Sequence, residues 1–310
     1  MTVEINAIYS DTQWHSLRSK VVGASEAGAL VGEHDYLSYW GLWARKSGLL
    51  PAPDDSGAME RGHRLEPVAV EMIRDRYPAW DIMVPRSHYA DHEFGIGATP
   101  DLLALDQERG SGVIQIKSVA SRIFRQSWRG DSDSIRVPIW IAIQALMEAD
   151  LTGASWAYVA ALVVDHVIDL HMIEIPLHPQ IVDTIKTEAL AFWRAVLAKQ
   201  EPEPDFRRDH ELIKAALRAD DGSELDLSQW NELQDLLDRR EAALAVVKEA
   251  KAEADACNAA LLHRLGPAVR GTFPGGYVSA KTVNVSAHSV KASSYRKLHV
   301  VRQREEGASS

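Results

Sequence analysis

The sequence predicts an α/β protein, and three observations carry that expectation. Short runs rich in β-branched residues alternate with segments whose apolar residues recur every three or four positions. The last run before the Glu-Pro pairs of 201–204 closes a first domain, residues 1–206, and residues 207–310 read as a helical extension with a β-hairpin. No apolar run reaches the roughly eighteen residues of a membrane span, and the first residues lack the basic start and apolar stretch of a signal peptide, so a cytoplasmic protein with no membrane contact is expected.

In chain order, residues 12–50 hold a turn-like Ser-Lys-Val-Val-Gly-Ala-Ser stretch. An Ala- and Leu-rich helix follows, capped by Ser25, and then a second helix around Tyr39 to Ser47. Beyond the loop PAPDDSG, the segment MERGHRLEPVAVEMIRDRY places Leu65, Val68, Ala69 and Met72 on one helical face, with Glu66 beside it. IMVPRSHYA, FGIGATPDLLAL and GVIQIKSVA have strand character and predict a small antiparallel meander. IWIAIQALMEADLTG predicts a buried helix ending at Gly153, and SWAYVAALVVD and VIDLHMIEIP two more strands. Residues 228–265 predict one long helix, with Trp230, Leu233, Leu237, Leu244, Val247, Ala254 and Leu261 near heptad spacing. A β-hairpin is expected around the Pro-Gly-Gly turn and Tyr277 to Val285, and a frayed end at REEGASS.

Composition narrows the chemistry. With 46% hydrophobic and 25% charged residues over 310 positions, the chain has an ordinary globular make-up and can bury a substantial core. Lys and Arg number 34 against 44 Asp and Glu, a net charge of -10, so a polyanion would be met by a local patch rather than by the whole surface. The single cysteine, Cys257, excludes an intrachain disulfide and a cysteine-built zinc or iron-sulfur centre. The histidines form no HExxH spacing, and no GxxxxGK[ST] loop occurs.

The most informative stretch is IGATPDLLALDQERGSGVIQIKS. Asp101 falls on one predicted strand, and Gln115 and Lys117 share a face of the next, because strand side chains alternate with period two. Polar groups thus converge where apolar ones are the rule. Carboxylate oxygens with a nearby lysine suit a hard divalent cation, Mg²⁺ or Mn²⁺, and the stabilisation of a phosphodiester under attack. The plainer alternative is a turn aspartate and a solvent-facing lysine.

Read together, LRSKVVGASEAGALVGEHDYLSYWGLWARKSG, ERGHRLEPVAVEMI, TPDLLALDQERGSGVIQIKS and VPIWIAIQALMEADLTGASWAYVAALV resemble, in order, the blocks of the YqaJ-like viral recombinases. This is the lambda-exonuclease branch of the PD-(D/E)xK nucleases. The resemblance implies a restriction-endonuclease-like core, a central mixed sheet flanked by helices. It also implies a Mg²⁺-dependent deoxyribonuclease that digests one strand of linear duplex DNA 5′ to 3′, leaving 3′ tails for a single-strand annealing partner. Homo-oligomeric rings around DNA are implied too. By position, Asp101, Gln115 and the Ile116 carbonyl would be metal ligands, joined by Glu66 directly or through water. Lys117 would activate water, Gln144 would steady the site, and Arg18 and Ser25 would hold a 5′ phosphate.

Two further groups are open to more than one reading. Lys20, Arg61, Arg64, Arg122, Arg125, Arg129 and Arg136 suit either a DNA track or a solvated face; Tyr36, Tyr39, Trp40, Trp128 and Trp140 suit either base stacking or the core. The resemblance departs at Gln115, where an acidic residue is usual. The neutral amide keeps an oxygen for a cation but removes one negative charge. Two alternatives therefore stand beside the exonuclease: a RecB-like nuclease acting on single strands or flaps, and a DNA-binding or partner-docking module with a weakened site.

Overall fold

The computed structural model describes residues 2–51, 57–130, 134–284 and 300. The loop 52–56 and the segment REEGASS lie outside the described residues. The chain divides into two compact units, Met1–Leu217 and Arg218–Ser310.

The first unit begins with strand β1 (Val3–Ala7), helix α1 (Asp11–Ser19), the two-residue strand β2 (Val22–Gly23) and a 3-10 helix at Ala24–Val31. Helices α2 (Tyr39–Lys46) and α3 (Gly57–Arg76) follow, then strands β3 (Asp81–Met83), β4 (Ser87–Asp91), β5 (Ile96–Ala98), β6 (Leu102–Asp106) and β7 (Gly110–Ala120). Helix α4 (Ser121–Ser127) and helix α5 (Ile139–Thr152) lead to strands β8 (Trp156–Val164) and β9 (Ile168–Ile175), helix α6 (Pro179–Leu197) and helix α7 (His210–Ala216). The sequence reading passed over β1, α1 and α6.

A five-stranded mixed sheet, ordered β3-β6-β7-β8-β9, is the centre of this unit. Its pairs are antiparallel except β7 with β8, which run parallel through the crossover helix α5. Alternation along β7 divides the core. Val113 and Val119 belong to the apolar cluster that contains α5, whereas Ile114 and Ile116 belong to the cluster that contains Ala69, Val70 and Ile73 of α3. Helices thus cover the sheet on both faces, the α/β core that the sequence predicts. Each fully buried Leu or Ile here contributes about 1.5–3 kcal/mol. Gly112 lies opposite Trp156 across the parallel pair, and a Cβ at that position would stand 2.1 Å from the indole, so only glycine lets the two strands close there.

The expected single meander is instead shared between two sheets. β3 and β6 pair in the mixed sheet, while β4 and β5 join β1 and β2 in a four-stranded sheet ordered β1-β4-β5-β2. The changes of sheet fall at Pro85 and at Thr99-Pro100-Asp101. Proline cannot donate to a ladder, so each marks where the chain leaves one sheet for the other. Asp101 is therefore a bend residue just before β6, not a strand residue.

The expected first helix is the short 3-10 helix, and Ser25 does not cap it. Gly23 holds the cap position, its N–H bonded at 2.9 Å to Oε2 of Glu26. α2 starts as expected, with Ser38 Oγ accepting the Gly41 N–H at 2.8 Å. α5 ends at Gly153 in the left-handed conformation, φ 68°.

The first unit runs past the Glu-Pro segment because α7 is fastened to α2. Buried Asp209 accepts a hydrogen bond from Ser38 Oγ and another from the Asp205 N–H at 2.9 Å. The second unit holds helix α8 (Leu233–Leu265) and a hairpin of strands β10 (Arg270–Phe273) and β11 (Gly276–Ser279), turning at Pro274-Gly275. Residues beyond 284 in the expected hairpin span lie outside the described set. Among the described residues no helix is long and apolar enough to cross a membrane.

Candidate active site

One cleft of about 760 Å³ in the first unit is lined by Arg18, Ser25, Glu66, Asp101, Gln115, Ile116, Lys117 and Gln144, every site residue the sequence reading named. Three elements bring the central group together. Gln115 and Lys117 project from β7 toward α5, at positions between Val113 and Val119 where the same face is otherwise apolar. Asp101 approaches from the bend before β6, level with Gln115 because Leu102 pairs with Ile114. α5 supplies Gln144 from above.

The hydrogen bonds form a continuous network. Nε2 of Gln115 donates to Oδ2 of Asp101 and, at 3.2 Å, to the Ile116 carbonyl. The Ile116 N–H donates to the same carboxylate oxygen at 2.7 Å. Gln144 Nε2 donates to Gln115 Oε1 at 2.8 Å, and its Oε1 accepts from Lys117 Nζ at 2.9 Å. Gln144 Nε2 also donates to Oε1 of Glu148 at 2.8 Å. The sequence reading missed Glu148. It stands four residues after Gln144, on the same face of an otherwise apolar helix, and that spacing was the available signal.

Burial dominates the electrostatics. It pushes the Asp101 carboxyl up, with Glu66 adding to the rise and Lys117 opposing it. Glu148 is raised by burial and next by the charge of Asp101. Glu66 is raised by burial as well. Burial lowers Lys117, against the pull of Asp101 and Glu148. Three carboxyl groups thus resist ionising together, with the Lys117 ammonium drawing on Asp101 and Glu148 and His63 on Asp101 and Glu66.

The donor set fits a hard divalent cation. Asp101 Oδ2 and the Ile116 carbonyl converge on one donor nitrogen, so both oxygens point into a common position, and Asp101, Gln115 and Glu66 offer oxygen to a hard cation. Buried polar atoms without a hydrogen-bond partner gather on this cleft, among them Glu148 Oε2, Ser118 Oγ and Arg61 Nε. Among the described residues no group of three or more His, Cys, Asp and Glu side chains is placed to hold a metal. The glutamines at 115 and 144 stand between the carboxylates.

In the same cleft, Arg18 Nη2 donates to Ser25 Oγ at 3.2 Å, with the guanidinium lying over the Trp14 ring at 4.5 Å. Beneath them Lys46 pairs with Glu26 at 2.8 Å and donates to the Arg18 carbonyl at 3.1 Å. Burial raises Glu26, but Lys46 and Arg18 together outweigh it and hold that carboxyl low. Of the aromatic candidates, Trp40 and Trp128 are buried in the core, and Tyr39 packs edge-on against Phe192. Tyr36 is exposed and meets Trp140 edge-on at the cleft rim. Of the basic candidates, Arg61 lines the cleft, whereas Arg64 is paired on the surface with Glu60. Asp106 is spent on the β6–β7 turn, accepting from the Trp80 indole at 2.7 Å and the Glu108 N–H at 2.8 Å.

The YqaJ-like viral recombinase domain matches residues 13–155. No curated protein matches the chain. Among solved structures, an alkaline exonuclease from Laribacter hongkongensis is similar at 20% identity with a TM-score of 0.49, over 65% of this chain and 99% of that one. A phage related exonuclease from Haemophilus somnus is similar at 11% identity with a TM-score of 0.41, over 58% of this chain and 96% of that one. The matched span runs from α1 through α5 and so includes each cleft residue described above, from Arg18 to Glu148. Residues 13–155, just under half of the chain, are thus similar to the YqaJ-like viral recombinase domain.

Proposed function

We propose that this protein is a Mg²⁺-dependent DNA exonuclease, able to use Mn²⁺, that degrades one strand of linear duplex DNA from a 5′ end and leaves 3′ single-stranded tails for annealing-type recombination. The observation that carries the reading is the meeting of Asp101, Gln115, Lys117 and Gln144 in one cleft that Arg18 and Ser25 also line. Asp101, Gln115 and the Ile116 carbonyl would hold the cation, with Glu66 of the same cleft joining them directly or through water. When bound, the cation supplies Lewis-acid stabilisation of the phosphodiester and a lowered pKa for water.

The remaining roles fall to the chain. Gln144 fixes the Lys117 ammonium by its Oε1, and Lys117 Nζ orients the attacking water and faces the charge that builds on the phosphoryl oxygens. Arg18, held flat on Trp14, presents its guanidinium to a terminal 5′ phosphate with the Ser25 hydroxyl as a second donor. The protein acts as a homo-oligomer and delivers its product to a single-strand annealing protein.

Purified protein on linear 5′-phosphorylated duplex with Mg²⁺ or Mn²⁺ tests this. Lys117→Ala is expected to lower nucleotide release by about 10²- to 10⁴-fold. Equal release by both proteins would sink the reading. Arg18→Ala is expected to abolish the preference for 5′-phosphorylated over 5′-hydroxyl ends. Full activity on single strands or flaps with no such preference would instead favour the RecB-like alternative. One observation favours a binding-only module, the neutral Gln115 against Asp101. In that case calorimetry finds no Mn²⁺ binding while duplex DNA is still bound.

A further inference from the structure

The cleft holds a buried carboxylate that this assignment leaves unused. Ile141, Gln144 and Glu148 recur along one face of α5 and line the cleft, while Ile143, Ala145, Leu146 and Met147 between them belong to the apolar core. Glu148 is only 1% exposed. Its Oε1 accepts from Gln144, but its Oε2 is buried with no hydrogen-bond partner. The Lys117 ammonium attracts it through space, but the hydrogen bond of that ammonium goes to Gln144 Oε1. A carboxylate so placed is strongly unfavourable unless a positive charge comes within reach.

Gln144 shows how near Glu148 stands to the cation position. Its single amide nitrogen donates both to Gln115 Oε1 and to Glu148 Oε1, each at 2.8 Å, so the tips of residues 115 and 148 lie around one atom. Charge on either tip occupies the same small volume beside Asp101. β7 brings an amide to that volume and α5 brings a carboxylate.

We propose, on the reading of this cleft as a divalent-cation site, that Glu148 supplies from α5 the second carboxylate charge that Gln115 withholds from β7. The site is then complete in charge, with the acidic and amide groups exchanged between strand and helix. Gln144 keeps the two tips in register and holds Lys117 on its other side.

The test is Mn²⁺ binding by calorimetry on the full chain, together with thermal unfolding in excess chelator. Glu148→Gln keeps the size of the side chain and an oxygen for Gln144. It is expected to unfold in chelator no earlier than the unmodified chain, while Mn²⁺ affinity falls by about 10- to 100-fold. The exchange Gln115→Glu with Glu148→Gln is expected to restore most of that affinity, and it decides the matter if the single variant fails to fold. Unchanged Mn²⁺ affinity in Glu148→Gln, or a folded exchange variant that binds no better than the single one, overturns the role of Glu148 alone. An unmodified chain that binds no Mn²⁺ overturns this proposal and the cation site with it.

Discussion

Thr99, two residues before Asp101, ties three walls of the cleft together. Its hydroxyl meets the Trp14 indole N–H at 3.1 Å and Nδ1 of His88 at 3.2 Å, and Trp14 in turn carries Arg18. His88 is buried on β4, and a Cβ on the facing Gly97 would stand 2.9 Å from its ring, so the imidazole is packed where no larger neighbour fits. Burial first, then the charges of Arg18 from α1 and His92 from the turn after β4, depress the His88 pKa to about 4, with a bond to the Ala98 carbonyl opposing. The unfolded chain takes up this proton near pH 6.5 and the folded chain does not. The neutral ring therefore contributes stability that is whole above about pH 6.5 and is lost as pH falls toward about 4. Urea unfolding of the unmodified chain and His88→Asn across that interval is expected to give a stability difference that changes by on the order of 2 kcal/mol. Parallel curves would show that His88 titrates alike in both states. At this scale the sequence was most readable where a residue broke its local pattern. Gln115 and Lys117 stood out on an apolar strand face, and Glu148 broke the apolar run of α5 just as plainly, yet the sequence reading passed over it.

Elements were legible where local chemistry specifies them. Ser38 before α2, Gly153 after α5 and the Pro-Gly turn of the terminal hairpin each state a boundary in one or two residues. Strand partners were not legible, because pairing joins distant segments. β4 pairs with β1 through Val3 and Asp91, and nothing near either residue names the other. The same limit hid the attachment of α7. Asp209 reads as an ordinary polar residue after a Glu-Pro segment, and only the fold shows it buried against Ser38. Because Ser38 Oγ accepts the α2 cap bond while donating to Asp209, one buried pair serves two helices. Asp209→Ala leaves the serine hydroxyl and the Asp205 N–H without their acceptor and is expected to cost about 1–3 kcal/mol in chemical denaturation. A double-mutant cycle with Ser38→Ala should return a positive coupling energy; additive losses would mean that the pair does not act as a unit.

At the scale of the molecule, the two units are stabilised in different ways. Residues 2–217 enclose both apolar clusters and both larger sheets, so this unit has the buried core that independent folding requires. α8 has none. It extends for 33 residues without a buried side chain, and Leu236, Leu244, Val247 and Leu261 are exposed along it. Helices in water draw most of their stability from packing an apolar face, so a helix of this length with an uncovered leucine and valine set has a stability that rises when another surface covers it. In the oligomer proposed above a second copy of α8 would be that surface, and the charged Arg240 and Lys251 between its apolar positions would make the association weaker than a continuous coiled coil. A chain ending at Leu217 is therefore expected to unfold cooperatively and sediment as a monomer. The full chain is expected to sediment as an oligomer whose α8 helicity, read by circular dichroism as the difference between the two proteins, rises with concentration. Association retained by the shortened chain would place the interface in the first unit. A full chain that stays monomeric with α8 fully helical would mean that the helix holds itself without a partner.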